Sequence, residues 1–488
     1  MSPATATART LALEAGPNAS PGALLARLVA QLPGLGSALD GVSAARHLEH
    51  TLLAAGGQIH RITPSAFWLH TDGSCSLRYR VSVSAGAADG AEHTVLARVF
   101  RSEDLAGQCL IAALGLAPRT DPPVPWRRWT ATGLDHRSVL TLFPFDPARP
   151  TLALAIDLDA LRREHWPASD LDPISVDLVH HSRDGAPVLR YGVQRAGASL
   201  SSPVRQVYGK LYPDQTTGES AHHFLRTWAG HDRVPIPKPV GYSATLQLLL
   251  TEALPGQPTL PSIVGSAGPP GRGSSGGSLA YDALRSTGQT LAALHQTPGD
   301  APPSTTLRQL NRDLDRDLEL TQTVWPAVAD QVRTMLDPVR FDDEEAAPVL
   351  CHGDFTPSQI LLDGGAVSGV VDLDTAGWGE AAMDVGRFLA QLDLVVTKEL
   401  GHSAGRRRKE LGSAFIAGYR DVAGVDQSLL RRAARVRSMS LARTALRSCR
   451  QLKERRMGLA MSLLPMGLLP MALLPMALIS PSNGRTRW

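Results

Sequence analysis

Lysine is scarce in this 488-residue chain: of 49 basic residues only Lys210, Lys238, Lys398, Lys409 and Lys453 are lysines. Arginine therefore carries almost all of the positive charge, and a lysine inside a strand-like run stands out. Cysteine is scarce too. Cys75, Cys109, Cys351 and Cys449 are far apart and form no CxxC pair, which excludes a zinc knuckle or a disulfide framework and fits a reducing cytoplasm. Charge of one sign is missing as well: the net charge of +3 provides no field that would gather nucleic acid. Near the N-terminus no basic stretch is followed by an unbroken apolar run, so no secretory signal is read there, and residues 1–21 read as a disordered Ala/Thr leader. What remains is an ordinary globular composition, 43% hydrophobic and 19% charged, long enough for roughly two to four packed units.

The spacing of Ala and Leu predicts helix over about Leu24–Ala55, and period-two alternation predicts strands over Phe67–Val83 and Thr94–Phe100. A short internal repeat follows from these strands. Asp72-Gly73 precedes Leu77-Arg78-Tyr79 as Asp184-Gly185 precedes Leu189-Arg190-Tyr191, and the same offset sets Ala97-Arg98-Val99-Phe100 against Gly209-Lys210-Leu211-Tyr212. Two related strand-turn-strand units are expected. The proline-dense stretch Pro144–Pro150 separates them, and Gly265–Gly277, dominated by Gly, Ser and Pro, reads as a flexible insertion with no catalytic role. Helical patterns dominate thereafter. From Met457 to Ile479 the chain is apolar except for Ser462, long enough to span a bilayer. Three regularly spaced prolines, Pro465, Pro470 and Pro475, argue against a spanning helix, so the segment is read as a low-complexity extension beyond the fold.

The densest chemistry lies in Val349-Leu350-Cys351-His352-Gly353-Asp354-Phe355-Thr356-Pro357-Ser358-Gln359-Ile360-Leu361-Leu362, followed by Val370-Val371-Asp372-Leu373-Asp374. Apolar strands flank a polar loop there. Such a loop can hold one carboxylate at an acceptor hydroxyl while a second, on the next hairpin, binds a metal on ATP, the division of labour that phosphoryl transfer needs.

These motifs resemble the aminoglycoside phosphotransferase and choline kinase family, whose loop reads His-Gly-Asp, four residues, then Asn, with a metal-binding Asp on a later hairpin. His352, Gly353, Asp354 and Asp372 match, and Gln359 stands in the Asn place. The resemblance implies an α+β, protein-kinase-like two-lobed fold, ATP and Mg2+ as cofactors, and a small-molecule hydroxyl as acceptor. It implies Asp354 as the catalytic base, Asp372 as the main metal ligand with Gln359 and Asp374 as further contacts, and His352 and Asp384 as loop supports. It also implies that Lys210 pairs with the nucleotide phosphates, with Glu219 on the following helix as its partner, and that the backbone near Glu252 to Leu254 holds the adenine. The turn Arg183-Asp184-Gly185 takes the position of the phosphate-covering loop without its GxGxxG pattern. The resemblance spans about Pro173 to Leu452. Residues 22–150 are an accessory unit that looks like a copy of part of the small lobe, with Arg98 where Lys210 sits. The small lobe is expected over 173–260, the insertion over 261–280, the helical lobe over 281–456 and the tail over 457–488. Two rival readings stay open: a nucleotide-binding pseudokinase without turnover, suggested by Gln359, and a membrane-tethered scaffold, suggested by the tail.

Overall fold

A computed structural model describes residues 21–467 except 86–87, 169, 182–185, 200–201, 230–232, 267–274, 299–300, 305, 340–345 and 402–403. The N-terminal leader, the Arg183-Asp184-Gly185 turn, most of the glycine-rich insertion and residues 468–488 therefore lie outside the described residues. Three helices, α1 (Pro21–Gln31), α2 (Gly34–Leu39) and α3 (Gly41–Thr51), lead into strands β1 (Gln58–Leu69), β2 (Cys75–Ala85) and β3 (Ala88–Val99). Helix α4 (Glu103–Leu116), capped by the Ser102 hydroxyl on Leu105 N, precedes β4 (Thr130–Thr132) and β5 (Ser138–Leu142). The strands form one antiparallel sheet of order β1-β2-β3-β5-β4.

The same architecture then recurs. Helix α5 (Leu152–Ile156), β6 (Leu171–His180), β7 (Val188–Arg195), β8 (Arg205–Leu211), helix α6 (Gln215–Trp228, capped by Asp214), β9 (Pro239–Ser243) and β10 (Leu248–Glu252) build a second sheet of order β6-β7-β8-β10-β9. The repeat read from the sequence is kept in the hydrogen-bond register: Leu77 faces Ala97 as Leu189 faces Gly209, and Ser76 faces Arg98 as Val188 faces Lys210. Side chains repeat as well. Tyr79 is buried and donates its hydroxyl to Ala38 O of α2 at 2.5 Å, and the buried Tyr191 donates to Ala155 O of α5 at 2.8 Å, each bond tying a sheet to a helix that comes before it in the chain.

The second half is mainly helical: α7 (Leu260–Ser266), α8 (Ser275–His295), α9 (Leu307–Val324), α10 (Pro326–Leu336), α11 (Ala381–Leu400), α12 (Ala404–Val422), α13 (Gln427–Arg450) and α14 (Glu454–Gly467). Between α10 and α11 lie β11 (Val349–Cys351) paired with β14 (Gly377–Gly379), and the hairpin β12 (Ile360–Asp363) with β13 (Ala366–Val370). One apolar core joins α6 of the second sheet to this lobe through Phe224, Trp228, Leu294, Leu350 and Leu373. The first sheet is seated elsewhere. Its core takes in Trp325 at the α9–α10 junction and Cys449 of α13, and the Arg450 guanidinium lies 5.3 Å from the centre of the Trp68 ring.

Helix α14 corrects the expected start of the tail at Met457. Ala460, Leu463 and Leu464 fall at helical spacing and are buried in the core of the helical lobe, so the apolar run continues the fold through Gly467. Among the described residues no helix is long and apolar enough to cross a membrane.

Candidate active site

The polar loop between β11 and β12 is fixed from below by one carboxylate. Asp384, in the first turn of α11 and fully buried, accepts the backbone N–H of His352 at 2.7 Å and of Gly353 at 2.9 Å, and its Oδ2 faces His295 Nε2 at 3.2 Å. Burial alone would raise this carboxyl, yet the hydrogen bond and charge of His295, with the charge and backbone bond of His352, outweigh it and hold the group below the ordinary carboxylate range. His352 is buried, with Nε2 3.0 Å from Val371 O, and so ties the loop to the strand leading to Asp372. Gly353 has φ +82°, and a Cβ there would lie 2.2 Å from Thr375 O; the loop needs glycine at that point. These bonds tie His352 and Asp384 to the loop and to the strand that follows it.

Above this base, Asp354, Gln359, Asp372, Asp374 and Lys210 meet in one cleft. Lys210, on β8, forms an ion pair with Asp372 and another with Asp374 at 2.6 Å, across 162 residues of chain in the first case. Burial would lower the lysine, but Asp374 and Asp372 together hold its pKa above the usual range. Burial would likewise raise Asp372, and the Lys210 charge and hydrogen bond keep it below the ordinary value. Asp372 has φ +68°, a left-handed backbone that aspartate tolerates better than most residues and that aims its carboxylate back into the cleft. Tyr212, two residues after Lys210, is buried and donates its hydroxyl to Asp374 at 2.8 Å.

Two expected roles change in this geometry. Glu219 does not pair with Lys210: it lies on the exposed side of α6 and accepts from Gln215 Nε2 at 2.6 Å, because the helix turns Gly218, Phe224 and Trp228 inward instead. Gln359 turns its amide nitrogen toward the carboxylates, while its Oε1 accepts from Thr356 N at 3.0 Å in a capping box. Its Nε2 donates to Asp372 at 3.3 Å and to Asp354 at 3.5 Å, so the amide clamps the two carboxylates together. The fit of a divalent cation therefore rests on Asp372 and Asp374. These are hard oxygen donors already converging on a cation, the Lys210 ammonium, which stands where a metal would be bound.

The segment expected to hold adenine connects the lobes. Glu252 ends β10, donates its N–H to Lys238 O at 2.9 Å and faces Arg205 at 3.8 Å, and Leu254 lies over Gly369 of β13. Just beyond, Gln257 exchanges backbone hydrogen bonds with Leu362 at 3.0 and 2.9 Å, pinning the linker to the β12–β13 hairpin.

Sequence reading missed Tyr212 and Arg387. The first was visible only as an aromatic after a strand, and the second as one arginine among many. Arg387 lies one turn beyond Asp384 on α11, nearly buried, with Nη1 3.6 Å from Asp354 Oδ1.

A lysine-bearing antiparallel sheet, a short linker and a helical lobe carrying a carboxylate loop and a carboxylate hairpin define a small-molecule kinase of the protein-kinase-like fold. The sequence profile of the phosphotransferase enzyme family matches residues 201–425. An aminoglycoside 3'-phosphotransferase from Streptomyces fradiae is 27% identical over 212 residues, which cover 39% of this chain and 73% of the relative. Among solved structures, an aminoglycoside phosphotransferase from Streptomyces rimosus, in complex with ADP and streptomycin, is 18% identical. It covers 59% of this chain and 98% of its own, with a TM-score of 0.38. A macrolide 2'-phosphotransferase from Brachybacterium faecium is also 18% identical, over 64% of this chain and 98% of its own, with a TM-score of 0.37. Residues 1–200, including the first sheet, lie outside the matched family segment.

Proposed function

We propose that the protein transfers the γ-phosphate of ATP to a hydroxyl of a small molecule, with Asp354 as the base that orients and deprotonates that hydroxyl. The observation that carries this reading is the convergence of Lys210, Asp372 and Asp374 beside Asp354, from two lobes joined by the linker at Glu252–Leu254. In this reading the nucleotide lies in the cleft between the sheet and the hairpin. Lys210 leaves the carboxylates for the phosphates, and Tyr212 holds Asp374 in place. Bound between Asp372 and Asp374, Mg2+ would neutralise charge on the transferring phosphate. The acceptor oxygen attacks the γ-phosphorus, its bond to the bridging oxygen of ADP breaks, and the hydroxyl proton passes to an oxygen of Asp354. That carboxylate is half-exposed, as access for an acceptor requires.

The test is ATP consumption and product formation with an acceptor panel of sugars, amino alcohols and aminoglycosides, comparing the native enzyme with Asp354→Asn. The substitution keeps the shape of the side chain and removes the base. A loss of about 10²–10⁴-fold in turnover with nucleotide affinity retained is expected. Unchanged turnover in Asp354→Asn removes Asp354 from the mechanism and with it this reading.

A further inference from the structure

Helices α9 and α11 both pack on α13, and this cluster, which reaches Asp354 through Arg387, is rich in arginine. Several of its acidic residues are already matched. Arg443 pairs with Asp313 at 2.7 Å, Arg450 with Asp317 at 3.1 Å, and Arg432 Nε donates to Glu380 at 2.9 Å. Asp317 has two further arginines near it, Arg443 at 3.6 Å and Arg447 at 4.0 Å.

Arg387 is placed differently. Its side chain is 11% exposed, and among the described residues the carboxylate in ion-pair contact with it is that of Asp354, at 3.6 Å. That is too long for a hydrogen bond. Asp384 and Asp313 also attract it, but their oxygens are committed, Asp384 to the loop N–H groups and His295, Asp313 to Arg443 and Gln309. Burial pushes the guanidinium below its ordinary pKa in spite of Asp354 and Asp384. A nearly buried cation is thus held against the reacting carboxylate without a close hydrogen-bonded partner among the described residues.

We propose that Arg387 determines acceptor specificity by binding an oxyanion, in the simplest case a carboxylate, that the acceptor carries beside its reactive hydroxyl. The inference rests on the phosphotransferase reading and adds the chemical class of the acceptor. A guanidinium takes a carboxylate by paired N–H···O bonds, a geometry that Asp354 does not satisfy at its present distance. With the hydroxyl on Asp354 and the oxyanion on Arg387, the two groups of the acceptor lie a few bonds apart, as in a hydroxy acid or a sugar acid. Proton accounting points the same way. When the hydroxyl proton moves to Asp354, that carboxylate becomes neutral and the buried Arg387 loses its counter-ion, a costly state that an acceptor oxyanion relieves. A polyamine acceptor would instead place an ammonium against Arg387 in a cluster several of whose carboxylates already have arginine partners.

The probes are D-glycerate against glycerol, D-gluconate against sorbitol, and kanamycin. Their affinities are measured by calorimetry on the full chain with a non-hydrolysable ATP analogue, and their turnover is measured with ATP. At least one carboxylate is expected to bind ten-fold or more tightly than its neutral counterpart, and more tightly than kanamycin. Arg387→Gln should abolish that preference, and Arg387→Lys should restore part of it, while nucleotide affinity stays unchanged; a purely structural arginine would not move the ratio. Neutral probes or kanamycin binding as well as the carboxylates overturns the proposal, as does a preference that survives Arg387→Gln, or no measurable binding of either carboxylate at millimolar concentration. Failure of the phosphotransferase reading looks different: Asp354→Asn then leaves ATP turnover unchanged whichever probe binds.

Discussion

The two five-stranded sheets share strand order, register and a buried tyrosine, yet their third strands point their cations at different partners. In the first sheet Arg98 folds back onto its own turn, pairing with Asp72 and donating to Ser74 at 3.1 Å, while Phe100 offers it only a ring face 5.0 Å away. In the second sheet Lys210 and Tyr212, at the matching positions, both reach carboxylates of the helical lobe. One sheet is closed on itself and the other completes a cleft. A duplicated fold therefore keeps its packing residues, Tyr79 and Tyr191, while the residues that can do chemistry survive only where a second lobe supplies carboxylates to meet them.

The largest expected effect tests that asymmetry directly. Lys210→Ala should lower ATP-dependent turnover by about 10²-fold or more, the scale of losing a fixed charge on a transferring phosphate. Arg98→Ala should leave turnover within a factor of about two, since its partners Asp72 and Ser74 belong to the first sheet. Steady-state rates for the two variants decide the matter. A comparable loss in both would mean that the first sheet shares in catalysis and that the comparison fails.

A good part of this was legible in the sequence, and the part that was not has a physical explanation. The loop from His352 to Gln359 and the hairpin carrying Asp372 could be read because polar residues stood between apolar strands. Lys210 could be read because the chain otherwise spends its positive charge on arginine. The pairing of Glu219 could not, because which side of α6 faces the cleft depends on the rotation set by the Asp214 cap and by burial of Phe224 and Trp228. Arg387 and Tyr212 acquire meaning only through contacts made across the fold, Arg387 33 positions after Asp354 and Tyr212 far earlier in the chain than Asp374. Helix α14 was hidden because the proline spacing that begins at Pro465 suggested low complexity, although the three buried positions Ala460, Leu463 and Leu464 already had helical spacing.

A smaller effect separates the carboxylates that hold each half in shape. Asp384 is buried under the His352–Gln359 loop, whereas Asp72 is half-exposed beside Arg98. Asp384→Asn should cost about 3 kcal/mol at neutral pH, as expected when one member of a buried, hydrogen-bonded charge cluster is removed. Asp72→Asn should cost under about 1 kcal/mol. Because the Asp384 carboxyl is depressed in the folded state, its contribution is present in full above the unfolded value of about 4 and is lost as pH falls through the lower folded value. The stability difference between native protein and Asp384→Asn, taken from denaturant melts, should therefore shrink only below about pH 4. A difference that fades already between pH 7 and pH 5 would show that another group, not Asp384, is titrating.

The smallest effect asks whether the two sheets are equivalent where neither does chemistry. Tyr79 and Tyr191 each bury a hydroxyl and donate it to a carbonyl of an earlier helix, Ala38 of α2 in one case and Ala155 of α5 in the other. Burial pushes both phenols far above their ordinary pKa, so each stays a neutral donor across the working range and no pH dependence should accompany its loss. Replacing either by Phe keeps the ring in the core and removes only the hydrogen bond, leaving one carbonyl without its donor. The expected cost is about 1–2 kcal/mol for each variant, with turnover unchanged per folded molecule. Since the two sites lie in separate cores, one shared with Trp325 and the other with α5, the double variant should lose the sum of the two to within about 0.5 kcal/mol. A strongly non-additive double variant would mean that the two sheets unfold as one coupled unit. A large loss of turnover in Tyr79→Phe alone would show that the first sheet is felt at the active site, which is the outcome most damaging to the division of labour drawn from Arg98 and Lys210.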